Sequence, residues 1–124
     1  MTRYKFFKKN GYFFGFTETG HAGYAEAGDD IVCSALSAMT MLVINAIEVS
    51  YASDVKYIID EEKVKISVFS RSALPENEPD EKKQYAISGL FEAFFLQLND
   101  MLEDYYEFID VDEIEADPES VIPD

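Results

Sequence analysis

The sequence predicts an α+β domain: two β-hairpins and a candidate C-terminal strand form a mainly antiparallel sheet, packed with two long helices. Three observations predict it. The aromatic runs Tyr4–Phe7 and Tyr12–Phe16 flank Asn10-Gly11, a strong hairpin signal. In a second region, Lys63, Lys65 and Ser67 alternate with Val64, Ile66 and Val68, the period of a half-buried strand. Two long apolar stretches follow the two hairpins in turn.

Taken in order, the first hairpin ends at Thr17-Glu18-Thr19-Gly20, and His21 follows. Residues Ala22–Gly28 are small and glycine-containing, which predicts a mobile loop. Helix one is expected to start with Asp30 as its N-cap, Asp29 competing for that place, and to run to about Val49. Apolar residues lie all around it, so it is expected to be covered on most faces. The uncharged stretch Ile31–Ile47 invites a membrane reading, but it is at the short limit, contains Ser34, Ser37, Thr40 and Asn45, and has acidic flanks. A buried helix is the better reading, with no membrane partner.

Val55–Ile59 and Val64–Val68 make the second hairpin around Asp60-Glu61-Glu62. Helix two is predicted over Glu81–Tyr105: Ile87, Leu90, Phe91, Phe94, Phe95, Leu98, Met101, Leu102 and Tyr105 recur at steps of three and four. Tyr106–Val111 is a candidate last strand. These elements assign one domain to residues 1–111. No Lys or Arg occurs after Lys83, and the acidic segment 112–124 is expected to be loosely ordered.

The chain has 124 residues, enough for a real core in one domain. It carries 25 Asp and Glu against 10 Lys and Arg. Such a surface repels phosphate backbones, so direct nucleic-acid binding is not expected. It attracts basic proteins, or simply keeps the chain soluble. No secretory signal is apparent, because no uninterrupted apolar run follows Arg3, Lys5, Lys8 and Lys9.

One cysteine and one histidine are present, twelve positions apart. The lone Cys33 cannot form an intramolecular disulfide. With Asp30 as cap, it would be the third helical residue, where the helix dipole favours a thiolate. That effect supplies ~0.3–1 kcal/mol. At ~1.36 kcal/mol per pKa unit, it moves a thiol by under one unit. Asp29 and Asp30 push the other way. Activation therefore needs a cation, and an imidazolium at His21 would serve. The eleven intervening residues reach ~36–40 Å when extended, so the two side chains can meet but need not. From spacing alone, a surface histidine and a packed core thiol are the favoured reading. Two such ligands without a second cluster make a structural metal site improbable, and no cofactor is called for.

The surrounding residues change that balance. Gly20-His21-Ala22, Gly28, Asp30-Ile31-Val32-Cys33 and Ser37 resemble, in residues and intervals, the ribosomal-processing cysteine protease family called Prp. Asn45 and Glu48 fit as well, and the order of elements is similar across nearly the whole chain. The resemblance implies a cytoplasmic bacterial endopeptidase, usually a homodimer. Its substrate would be a basic large-subunit ribosomal protein precursor, relieved of a short N-terminal extension after a Phe-Phe-Ala-like sequence.

By the same resemblance Cys33 is the nucleophile and His21 the general base. Asp30 either caps the helix or steers His21. Ser37, one turn beyond Cys33, lines a cleft or bonds a helix carbonyl. The backbone N–H groups of Val32 and Cys33 are candidates for an oxyanion site. Ala22, Gly23, Tyr24 and Gly28 would form a gating loop, with Tyr24 a candidate contact for aromatic substrate side chains. The competing class is a non-catalytic ribosome-assembly factor that binds a basic partner, which would need neither thiol nor imidazole.

Overall fold

A computed structural model describes residues 1–20 and 27–123, and for 27–30 the backbone alone. Strands β1 (Thr2–Lys9) and β2 (Tyr12–Thr19) form the first hairpin. Helix α1 (Ala27–Asn45) runs into a π-helical turn, Ala46–Ser50. Strands β3 (Lys56–Asp60) and β4 (Lys65–Phe69) form the second hairpin, and α2 (Glu81–Tyr105), β5 (Ile109–Glu115) and α3 (Pro118–Val121) complete the order. The five strands lie in the order β3-β4-β2-β1-β5. All pairs are antiparallel except β1–β5.

The first turn is made as its residues dictate. Asn10 and Gly11 both have positive φ, 51° and 86°, and Lys9 pairs with Tyr12 across a two-residue loop. Such loops match the twist of the strands they join. Further along, the register slips: Phe7 faces Gly15, but Lys8 faces Phe13, so Phe14 is the extra residue of a bulge. The bulge divides the aromatic run between the two faces. Phe13 joins Phe6 and meets Phe95 of α2 at 5.0 Å between ring centroids. Phe14 turns to the opposite face, beside Phe7 and Phe69. Beside it Gly15 is obligatory, since a Cβ there would stand 2.2 Å from Phe69 Cδ1 and 2.7 Å from the Val68 carbonyl.

On the helix side, Tyr4, Phe6 and Phe16 pack edge-on against Phe94, at 5.2 to 5.7 Å. Helix α2 fits its sequence reading at both ends. Asp80 caps it, accepting from the N–H groups of Lys82 and Lys83 at 3.0 and 3.2 Å. Ile87, Phe91, Phe94 and Leu98 form its buried stripe.

Helix α1 departs from expectation twice. It begins at Ala27, so Asp30 is its fourth residue and not its cap, and Gly28 belongs to the helix and not to the loop. Nor is it covered on most faces. Val32, Cys33, Leu36, Thr40, Val43, Ile44 and Ile47 are buried, while Ile31, Met41, Leu42 and Val49 are exposed. A single sheet face covers only one stripe of a helix laid on it. Residues Ile31–Ser50 are long and apolar enough to cross a membrane, with a mean hydropathy of 1.8. Their buried stripe is nevertheless matched to the sheet.

The acidic C-terminal segment also departs from expectation. Strand β5 extends past Val111 to Glu115, in parallel register with Thr2–Lys8. Its acids run beside the basic residues of β1: Arg3 is opposite Asp110, Lys5 opposite Asp112, and Lys8 bridges Glu113 at 3.1 Å. Exposed pairs of this kind contribute little singly; the backbone ladder does most of the ordering, continued by Ala116 N–H to the Lys8 carbonyl at 2.9 Å. Asp117 then caps α3, Arg71 holds Glu119 at 2.7 Å, and Lys56 donates to the Pro123 carbonyl. Ile122 lines a cavity with Phe69, on the sheet face away from the long helices.

Two outcomes follow from this packing. Phe6→Ala will lower unfolding free energy by about 3–5 kcal/mol in urea titration. Truncation after Val111 will lower the melting temperature by at least about 5 °C and speed amide exchange in the second half of β1.

Candidate active site

The last residues of β2 set the approach to the site. Gly20 has φ of 76°, and a Cβ on it would lie 2.5 Å from the Met1 carbonyl. Only glycine meets both conditions. Its N–H bonds the Val64 carbonyl at 3.3 Å, and Val64 itself has φ of 51°, rare for a β-branched residue. His21, the next residue, lies outside the described residues, as do Ala22, Gly23 and Tyr24.

Cys33 is the seventh residue of α1, on its buried stripe and 9% exposed. The helix dipole acts within the first turn, so at this depth it does little for the thiol. The early helix start also corrects the oxyanion assignment. In an α-helix beginning at Ala27, the N–H groups of Val32 and Cys33 are spent on carbonyls four residues back. Ser37, one turn on, is exposed. The side chain of Asp30 is outside the described atoms.

Sequence reading passed over three buried polar residues, Tyr4, Glu18 and Thr40. Tyr4 and Glu18 are partners in the β1–β2 register, 2% and 5% exposed, and the phenol donates to Glu18 Oε1. Burial, and then the Glu18 charge, push the phenol far above its ordinary pKa; the charge of Cys33 acts the same way. Thr40, two turns beyond Cys33 on α1, is also buried, and its hydroxyl has no hydrogen-bond partner among the described residues. The Tyr4–Glu18 pair thus sits in a core otherwise built from Phe rings and aliphatic side chains. The signal was present in the sequence: Glu18 follows Phe16 by two, and so falls on the apolar face of its strand.

The same row of the sheet continues outward as Glu18, Ile66 and Ile59. There Ile59, Val64 and Ile66 line an apolar groove of about 220 Å³ with Glu18 at one wall. A larger cavity, about 520 Å³, lies between Tyr12 and the Tyr85–Leu96 face of α2 and includes none of the residues selected from sequence.

Comparison with known proteins adds to this geometry. Residues 1–110 match the family model of cysteine protease Prp. No curated protein matches the chain. Among solved structures, SMU.848 from Streptococcus mutans is 32% identical, over 94% of this chain and 99% of that one, with a TM-score of 0.76. The ribosomal processing protease Prp from Staphylococcus aureus, crystallised in complex with a substrate peptide, is 19% identical over 92% of this chain and 100% of that one, with a TM-score of 0.73. At that identity the likeness is one of fold.

Thr40→Val replaces a buried hydroxyl, without a hydrogen-bond partner among the described residues, by a methyl of the same shape. It is expected to raise unfolding free energy by about 1 kcal/mol, measured by urea titration.

Proposed function

Since the chain belongs to the Prp cysteine protease family, we propose that it is an endopeptidase that removes an N-terminal extension from a large-subunit ribosomal protein during ribosome maturation. The observation that carries this reading is the segment Gly20-His21-Ala22 to Asp30-Ile31-Val32-Cys33, which falls wholly within the matched residues 1–110.

In the proposed mechanism His21 takes the proton from Cys33 Sγ, and the sulfur attacks the scissile carbonyl carbon. As the C–N bond breaks, His21 returns that proton to the leaving amine. It then draws a proton from water, whose oxygen cleaves the thioester and restores the thiol. The depth of Cys33 in α1 supports a base-dependent thiol, because neither the helix start nor the nearby aspartates favour a resting thiolate.

Substrate chemistry fits two features. Aromatic side chains before the cleaved bond need an apolar cleft, and the groove of Ile59, Val64 and Ile66 offers one beside the Tyr4–Glu18 pair. A basic precursor suits a chain of formal charge −15. The proposed setting is the cytoplasm and the proposed state a homodimer; the exposed apolar residues Ile31, Met41, Leu42 and Val49 support the latter.

Incubation with a precursor of the ribosomal protein, read by product mass, is expected to give one cut after the extension. Cys33→Ala, Cys33→Ser and His21→Ala should each reduce the rate by at least about 10³-fold with circular dichroism unchanged. Processing should slow as salt rises. An active Cys33→Ala protein would refute the proposal. Tight binding of the precursor with no cleavage would favour the binding-factor reading, for which the acidic surface suffices.

A further inference from the structure

We propose that the cavity between the tip of the β1–β2 hairpin and α2 is a second binding site, which takes an Arg or Lys side chain from the mature body of the basic precursor. The inference rests on the processing-protease reading and adds a contact at the opposite end of β2 from Gly20.

The lining suits a cation on an aliphatic stem. Tyr12 comes from the start of β2 and Tyr85 from α2, the latter 71% exposed. Ser88, Glu92 and Leu96 follow Tyr85 at helical steps and so share its face. Among the described residues Glu92 is the only charged group lining the cavity, and it forms no ion pair. The cavity, about 520 Å³, therefore offers ring faces, one carboxylate and apolar surface, with no Lys or Arg of its own. Aromatic faces attract ammonium and guanidinium groups. A carboxylate adds a charge-assisted hydrogen bond. The methylene stem packs on apolar surface such as Leu96.

Gly89 is an independent sign. It lies inside the 25-residue helix α2, where only proline is less favourable than glycine. A Cβ there would meet no heavy atom within 4 Å, so packing does not require the glycine. What the missing side chain leaves open is the cavity itself. An adjoining cavity, about 410 Å³, shares both tyrosines and adds Glu81 and Lys82, whose charges offset.

Placement and charge select the occupant. A formal charge of −15 draws basic proteins to the surface, and the unpaired Glu92 gives one of their side chains a seat. Tyr12 and Thr19 are the two ends of β2, so at ~3.3 Å per residue they stand about 23 Å apart. An extended substrate needs about seven residues to cover that distance. A whole precursor can engage both ends of the strand, while a short junction peptide cannot.

Four full-length variants test the site. Glu92→Gln removes the charge, Tyr85→Ala removes the ring, Gly89→Leu fills the cavity, and Tyr85→Phe keeps the ring face. Labelled mature ribosomal protein, which lacks the extension, is titrated against each by fluorescence anisotropy. The first three should weaken binding about five- to tenfold, and Tyr85→Phe should bind as wild type does. In cleavage of the whole precursor, the same three should raise KM by that factor and leave kcat unchanged. A junction peptide of about six residues should be cut at the wild-type rate by all four. Gly89→Leu should melt no lower than wild type, because leucine favours the helix, so its loss of binding is not a loss of fold. If Tyr85→Ala fails to fold, Glu92→Gln and Gly89→Leu decide. Unchanged binding in folded variants overturns the proposal, as does an equal loss on the short peptide. A variant that changes the sedimentation of the protein alone, and not precursor binding, assigns the cavity to a second copy and also overturns it. Binding that responds to these variants in a protein that cleaves nothing would refute the protease reading and support the site.

Discussion

The bulge at Phe14 decides which rings of the central hairpin meet the helices. Without the extra residue, Phe14 would share a face with Phe16, and Phe13 would point away from α2. With it, Phe13 joins the helix-side cluster and Phe14 completes a second patch with Phe7 and Phe69. Gly15 lets β4 approach closely at that point. Both layers of the molecule depend on this one slip in register: the long helices cover one face, and the C-terminal segment reaches the other.

The helix-side face also carries a buried polar pair. Aromatic rings fix Tyr4 by contacts with Phe6, Phe16 and Phe94. A phenol fixed in this way directs its hydroxyl to one acceptor, Glu18. Burying that pair costs free energy that Phe and Leu at the same positions would not. Buried polar groups that are bonded to each other specify one arrangement at their location. Here the arrangement lies on the sheet row that continues into the apolar groove at Ile66 and Ile59. Scaffold and candidate chemistry therefore share the same strands.

How much of this was legible in sequence varied with the range of the forces involved. Helix α2 was legible at both ends, because Asp80 caps it locally and its stripe repeats at helical steps. The Asn10-Gly11 turn was legible because positive φ is a property of those two residues. The start of α1 was not. Asp30 is a good cap by type, yet the helix begins at Ala27, leaving Cys33 a full turn deeper than a capped start at Asp30 would place it. The acids of β5 suggested a loose tail because their partners, Arg3, Lys5 and Lys8, lie at the far end of the chain.

The sequence by itself determined the residue chemistry and local conformation: one thiol, one imidazole, the spacing between them, the turn, the amphipathic helix and the family those residues belong to. These depend on identities and on neighbours a few positions away. Only the tertiary structure decided that Tyr4 meets Glu18, which Phe rings face the helices, and that acidic strand β5 pairs with basic β1. Each of those is a contact between residues distant in the chain. Tyr4 and Glu18 are ordinary strand residues until a register brings them opposite each other in the core.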